Sequence, residues 1–317
     1  MTQRDASPPS SDAAWAQRPE RSNRWILRVM VWISLTFGRR IGRIVLYGIA
    51  AYFLAFAPQA RRDAATYLAR ALGRTPTPGE RFAHFLAFAT TIHDRVYLLN
   101  NRFDLFDIEV VGQDIIDGAI ADGRGVLLMG AHLGSFEVIR VVGRDRTDLS
   151  VTMLMYAENA QKINATLEAI NPAAMQDIIP LGRIDSMLQV KARLDTGGLV
   201  GILADRGLGG DPMRACTFLG HPAPFPVGPF RMAAMLRRPV LLMTGLYLGS
   251  NRYRIHFEAL ADFSASEAGT RGHAIAEAQQ RYATRLEHFC RIAPFNWFNF
   301  FDFWQASSAA PADHPRS

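Results

Sequence analysis

A histidine and a glutamate five residues apart, His132 and Glu137, stand in the stretch Met129-Gly-Ala-His-Leu-Gly-Ser-Phe-Glu137. Imidazole exchanges a proton near neutral pH, and a carboxylate bonded to one ring nitrogen fixes the tautomer and leaves the other nitrogen free to accept a proton. On a helix only residues three or four apart share a face, so these two side chains meet only if the chain turns between them. Gly134 supplies the turn, and Ser135 can cap the helix that the apolar run Phe136 to Val142 predicts. The preceding Gly125-Val-Leu-Leu-Met129 is apolar and bounded by glycine, which predicts a short buried strand. A histidine just past the C-terminal end of a strand sits where open α/β sheets place their ligand crevices. Against this stands the plainer reading of a core histidine in a turn, satisfied by a nearby carboxylate.

A second polar cluster follows another apolar run, Gly201-Ile-Leu-Ala-Asp205-Arg206. Arg206 can hold an acidic group such as a phosphate or carboxylate, or it can pair with Asp205 or Asp211. The next residues, Gly207-Leu-Gly-Gly-Asp-Pro, lack the spacing of a phosphate-binding loop and read as a mobile loop. Pro226-Val-Gly228-Pro229 opens a helix expected over Phe230–Arg237. Backbone N–H groups at such a start cradle a phosphate or a developing oxyanion, unless the turn is only a tight connection.

The elements that carry these residues alternate. Strands are expected at Phe106–Val111, Val126–Met129, Leu149–Met155, Ile178–Leu181 and Leu199–Leu203, with helices at Gln113–Ala121, Glu158–Ile170 and Ile184–Leu194. Such alternation predicts an α/β fold with a central, mostly parallel mixed sheet flanked by helices. Val240–Tyr247 and Tyr253–Leu260 add an antiparallel pair, and Arg271–Ile292 a long closing helix. Upstream, Ala60–Leu72 reads as a helix with Arg61 and Arg62 in its first turn, a position that opposes the helix dipole unless phosphates lie nearby; Gly73 stops it. Thr77-Pro-Gly-Glu80 is a capping box for a helix running to about Leu99, on which His84, His93 and Asp94 read as packing or surface residues.

The N-terminal region carries two apolar runs, Trp25 to Phe37 and Ile44 to Ala57, separated by Arg39, Arg40 and Arg43. Each is shorter than the ~18–20 residues that cross a bilayer, and arginines at its centre are costly. A hydrophobic helical membrane-anchoring extension lying in one leaflet fits, with the arginines reaching lipid phosphates. A single tilted span and a hairpin packed on the protein's own core remain open. The expected organisation is a disordered tail (1–20), a helical membrane-associated region (21–104), an α/β domain (105–305) and a second disordered tail (306–317).

Composition bounds the chemistry further. The 317 residues carry a net charge of +6, almost wholly from arginine, with only two lysines, Lys162 and Lys191. This balance attracts anionic head groups or an acidic carrier protein, or reflects a preference for arginine codons. No basic stripe with interleaved aromatics suggests nucleic acid. The two cysteines, Cys216 and Cys290, suggest neither a disulfide framework nor a metal cluster and are expected to be packing residues. No metal or cofactor is expected, and no Ser or Cys sits in a nucleophile motif.

His132-Leu-Gly-Ser-Phe-Glu137 resembles the His-x4-Glu/Asp signature of the lysophospholipid acyltransferase superfamily, and most closely its bacterial branch similar to lipid A biosynthesis (late) acyltransferases. The basic helix Arg61-Arg62-x4-Tyr67-Leu-x-Arg70, the strand ending in Asp205 and the aromatic segment Pro294-Phe-Asn-Trp297 through Trp304 resemble other blocks of that family. The family commonly has Gln where this chain has Arg206, and basic residues where this chain continues Phe-Asn-Phe-Phe after Trp297. The resemblance implies an O-acyltransferase on the cytoplasmic face of the bacterial inner membrane, monotopic or single-span. An acyl thioester, acyl carrier protein or acyl-CoA, would donate a fatty chain to a hydroxyl of a lipid or glycolipid at the membrane surface. His132 would be the general base and Glu137 its orienter, with helix-start N–H groups or an arginine on the oxyanion. Gly134, Ser135, Asp205, Arg206 and Gly228 are the expected substrate-binding residues. An esterase or thioesterase on the same scaffold, or a non-catalytic lipid-binding protein, remain as alternatives. The aromatic segment would be a wall of the acyl channel, a membrane contact or a plug on the core.

Overall fold

The structure is a computed structural model that describes residues 24–141, 151–156, 170, 178–182, 184–207, 211–265, 267 and 269–304. Three helices come first: α1 (Arg24–Phe56), α2 (Pro58–Leu72) and α3 (Pro78–Leu99). They are followed by β1 (Asp107–Val111), α4 (Gln113–Ala121), β2 (Val126–Gly130), β3 (Val151–Tyr156), β4 (Ile178–Leu181), α5 (Ile184–Asp195) and β5 (Leu199–Leu203). The chain continues as β6 (Met213–Phe218), β7 (His221–Pro226), α6 (Gly228–Leu236), β8 (Pro239–Tyr247), β9 (Arg252–Asp262) and α7 (Arg271–Ile292). The helix expected at Glu158–Ile170, most of the glycine-rich loop after Gly207 and both terminal tails lie outside the described residues.

Seven strands form one sheet in the order β1-β9-β8-β2-β5-β3-β4. β2, β3, β4, β5 and β8 run parallel; β9 reverses against β8, and β1 runs parallel to β9. This is the mostly parallel mixed sheet that the strand–helix alternation predicts. β2 sits at its middle and is buried at all five positions. Leu127 and Met129 point into one core with Val240 and Leu242, while Val126 and Leu128 point into the other with Leu241 and Met243. A sheet covered on both faces explains why these strands read as unbroken apolar runs rather than as alternating ones.

β6 and β7 form a separate antiparallel hairpin in which Pro222, Pro224 and Pro226 face Thr217, Ala215 and Met213. Proline lacks a ladder donor and argues against a strand in a sequence. Here the prolines fall on every second residue, so the alternate residues His221, Ala223 and Phe225 keep their N–H groups, and Phe225 is fully buried.

The capping box at Thr77 forms in full: Thr77 Oγ1 accepts from the Glu80 amide at 3.2 Å, and Glu80 accepts from the Thr77 amide at 2.7 Å. Gly73 closes α2 in the left-handed region.

Arg39, Arg43 and Arg61 hold protein rather than lying free for lipid phosphates. α1 breaks at Gly38 (φ +80°). Arg39 then makes a bidentate pair with the buried Asp94 of α3, both bonds 2.7 Å, and donates to the Ser250 carbonyl. Arg43 donates to the same carbonyl at 2.8 Å. Arg61 donates to the Leu54 carbonyl at 3.0 Å, closing the last turn of α1, which accounts for a cation in the first turn of α2. Only Arg40 of the three arginines between the apolar runs is exposed. Among the described residues no single helix is long and apolar enough to cross a membrane; Ser34–Phe56 and Pro58–Leu72 pass together by length and composition but are bent by 97°.

Candidate active site

The strands decide which residues meet. β2 and β5 are neighbours, with Gly130 opposite Leu203, and the ladder runs one residue further through Ala204 N–H to the Gly130 carbonyl at 2.9 Å. His132 and Asp205 therefore leave two adjacent strand ends side by side. Asp205 Oδ1 lies 2.9 Å from His132 Nδ1, and Asp205 Oδ2 accepts from the His132 backbone N–H at 3.1 Å and from Trp297 Nε1 at 3.1 Å. Asp205 is fully buried.

The carboxylate on the imidazole is thus Asp205, and the role of orienter that the sequence assigned to Glu137 falls to it. Glu137 turns instead to Arg95 of α3, 2.7 Å away, and accepts from Ser135 Oγ at 3.2 Å. The local cause is the length of the turn. The residues from Glu137 to Val141 form a 3-10 segment rather than the expected helix from Phe136, and Ser135 serves the Glu137 carboxylate instead of a cap.

Glycine is needed where the sequence put it. Gly134 has φ +68° and pairs with Gly245 of β8, and a Cβ on either residue would overlap the backbone of the facing segment. The His132 loop is held on its other side by the C-terminal aromatic segment. Phe298 N–H donates to the His132 carbonyl at 2.8 Å, and Gly134 N–H donates to the Asn296 carbonyl at 2.9 Å. Asn296 is fixed in turn by a two-way bond with Tyr247 at 2.7 and 3.0 Å.

A cavity of about 310 Å³ opens over His132. Its floor is Ala131, His132, Gly134, Ser135, Phe136 and Glu137; its walls are Phe88, Thr91, Ile92 and Arg95 of α3, Leu203 and Arg206 of the β5 end, and Phe298, Phe300 and Phe301. The aromatic segment divides between core and cavity: Trp297, Phe303 and Trp304 are buried in the core, while Phe298, Phe300 and Phe301 line the cavity. Gly228 opens α6 as expected but is not part of the lining. Cys216 and Cys290 are buried free thiols.

The electrostatics favour a neutral imidazole. Burial lowers the His132 pKa, the Arg206 charge lowers it further, and together these outweigh the opposing pull of Asp205. Burial alone would raise the Asp205 pKa, but His132, Arg206 and the Trp297 N–H carry it well below the usual carboxylate range. An ionised Asp205 makes Nδ1 the protonated nitrogen, so Nε2 presents its lone pair to the cavity. The His132 side chain is 38% exposed, which leaves room for a substrate atom at Nε2.

Arg95 and Trp297 were not singled out as functional in the sequence. Arg95 is one arginine among many on a helix, and only the fold sets it against Glu137. Trp297 lay in a segment recognisable as unusual, but its bond to Asp205 depends on a contact across 92 positions.

Residues 16–306 match the family described as bacterial lipid A biosynthesis acyltransferase. No curated protein matches the chain. The match covers nearly the whole length, from ahead of α1 through the aromatic segment, so the chain belongs to the bacterial lipid A biosynthesis acyltransferase family and is an O-acyltransferase.

Proposed function

We propose that the protein moves a fatty acyl chain from a thioester, on acyl carrier protein or coenzyme A, to a hydroxyl of a lipid A-type or related lipid acceptor. The observation that carries this reading is the imidazole clamped at Nδ1 by a buried carboxylate, with Nε2 facing a largely apolar cavity. His132 Nε2 takes the proton of the acceptor hydroxyl as its oxygen attacks the thioester carbonyl. The C–O bond forms and the carbonyl electron pair moves to oxygen. When the tetrahedral species collapses, the C–S bond breaks and the Nε2 proton passes to the departing sulfur. Asp205 and Trp297 hold the imidazole in register, and Glu137 with Arg95 shapes the floor and wall. Transfer proceeds in a ternary complex without an acyl-enzyme.

We place the protein on the cytoplasmic face of the bacterial inner membrane, lying in one leaflet through α1. The exposed apolar residues of α1 beyond Gly38, among them Ile41, Ile44, Val45, Tyr52 and Phe56, support this placement. The test is transfer of a labelled acyl group to a lipid A precursor by the purified protein and by His132→Ala. Removal of the base is expected to cut turnover by about 10²–10⁴-fold while the protein melts normally. Unchanged turnover would end the mechanism, and label released as free acid rather than ester would favour a thioesterase.

A further inference from the structure

General-base transfer needs a partner for the oxyanion, and the three backbone amides that directly follow His132 do not offer one. The three amides after His132 are all committed: Leu133 to the Ala131 carbonyl at 2.7 Å, Gly134 to the Asn296 carbonyl at 2.9 Å and Ser135 to the Gly245 carbonyl at 2.8 Å. Ser135 Oγ is bonded to Glu137, and Arg95 is paired with the same carboxylate. The start of α6 lies outside the cavity lining.

Arg206 differs from the committed amides, and from Arg95 in that its carboxylate neighbour stands 3.7 Å away rather than 2.7 Å. It follows Asp205 directly, lines the cavity and is 15% exposed. One terminal nitrogen donates to the Phe298 carbonyl at 2.6 Å, and the guanidinium lies 5.0 Å from the centre of the Phe301 ring. These contacts aim the group without exhausting its five N–H donors. Its Nε–H is buried with no acceptor in hydrogen-bond reach among the described residues; the nearest carboxylate oxygen, Asp205 Oδ2, is 3.7 Å away, beyond a hydrogen bond. A buried donor without a partner is costly, and beside a base it is the feature expected of a group that acquires its partner only as charge develops.

We infer that Arg206 is the oxyanion-holding residue of the transfer reaction. This rests on the reading of His132 as base. As the hydroxyl oxygen bonds to the thioester carbon, the negative charge gathered on the former carbonyl oxygen meets the Arg206 guanidinium; that electron pair re-forms the C=O bond as the C–S bond breaks and the sulfur leaves with the Nε2 proton.

The experiment measures kcat and KM for purified full-length protein with dodecanoyl-coenzyme A and dodecanoyl-acyl carrier protein as donors and a lipid A precursor as acceptor. Rates are taken on the alkaline plateau, where His132 is neutral in every variant. Arg206→Gln is expected to lower kcat by about 10²–10³-fold with both donors while KM changes little. Arg206→Ala is expected to regain part of its kcat with added guanidinium ion and none with an equal ionic strength of sodium. A rise in KM with kcat intact would make Arg206 a ground-state binding group and overturn the inference. So would a kcat loss that guanidinium does not repair and that accompanies a lowered melting temperature, the mark of a clasp for the aromatic segment alone. His132→Ala is run beside these: if it keeps full transfer the base reading fails, whatever the Arg206 variants do.

Discussion

His132, Asp205 and Glu137 divide labour in a way that makes unequal demands on substitution. Asp205 fixes the imidazole at both its Nδ1 and its backbone N–H, and also holds Trp297. Asn in its place has one acceptor and one amide donor. That donor turns toward Nδ1, moves the ring proton to Nε2 and removes the base. Asp205→Asn is therefore expected to lower kcat by about 10²–10⁴-fold. Glu137→Gln keeps an acceptor for Arg95 and leaves the imidazole untouched, so its loss is smaller; kinetics showing Glu137→Gln as the more damaging change would reverse the assignment. The pH profile follows from the same ring. With His132 as the proposed base, transfer needs its ring neutral; burial and Arg206 push its pKa below 6.5, so kcat/KM is expected to stay level through neutrality and to fall only as the pH drops through that lowered value. Removing the Arg206 charge raises the pKa and moves the acid limb to higher pH. An acid limb that stays fixed in Arg206→Gln would show that the guanidinium does not act on the base.

Loops between elements hold the site, and they mark where sequence reasoning succeeds and stops. Strands β2 and β5 were legible because a strand buried on both faces is an uninterrupted apolar run. His132 was legible because it follows such a run and precedes a glycine. Its partner was not, because adjacency of β2 and β5 is a property of sheet order, and nothing local distinguishes Asp205 at 73 positions from Glu137 at five. The hairpin β6–β7 was hidden by its prolines, and the arginines after Gly38 looked like lipid ligands because Asp94 and Ser250 are remote in sequence. Gly134 is the element-scale feature that sequence and structure read alike. Its left-handed backbone costs an L-residue about 1–2 kcal/mol, and a Cβ would also collide with the Gly245 carbonyl. Gly134→Ala is expected to lower the melting temperature and to abolish transfer together, since the loop must move off β8 and carry His132 with it. Full activity and stability in that variant would mean that the Gly134–Gly245 contact does not set the site.

At the scale of the whole molecule, α3 stands between the catalytic cavity and α1. One side of α3 meets α1, with Ser34 Oγ bonded to His93 and the Ser34 carbonyl accepting from Tyr97. Another side gives Phe88, Thr91, Ile92 and Arg95 to the cavity. Beyond the Gly38 break, α1 buries Leu46 and Ala50 and exposes Ile41, Ile44, Val45, Tyr52 and Phe56, an apolar stripe at helical spacing that begins beside the exposed Arg40. Ile44 and Phe56 are 72% and 71% exposed, and Phe88 and Ile92 at the cavity are themselves 37% and 40% exposed. These exposed apolar residues are contiguous rather than scattered, and on the proposed placement a bilayer surface supplies the cover that the fold leaves out. Buried in lipid, each large side chain contributes about 1.5–3 kcal/mol, and every 1.4 kcal/mol is a factor of about ten in affinity. Replacing Ile44 and Phe56 together by Glu is expected to weaken sedimentation with phospholipid vesicles by about tenfold or more, counting only part of each burial. The melting temperature should hold, because both side chains are mostly exposed and the ring that Phe56 touches, Tyr52, is itself exposed, and transfer in detergent micelles should hold because neither lines the cavity. Equal vesicle binding by the variant and the unaltered protein would remove α1 as the anchor and return its apolar face to some other partner.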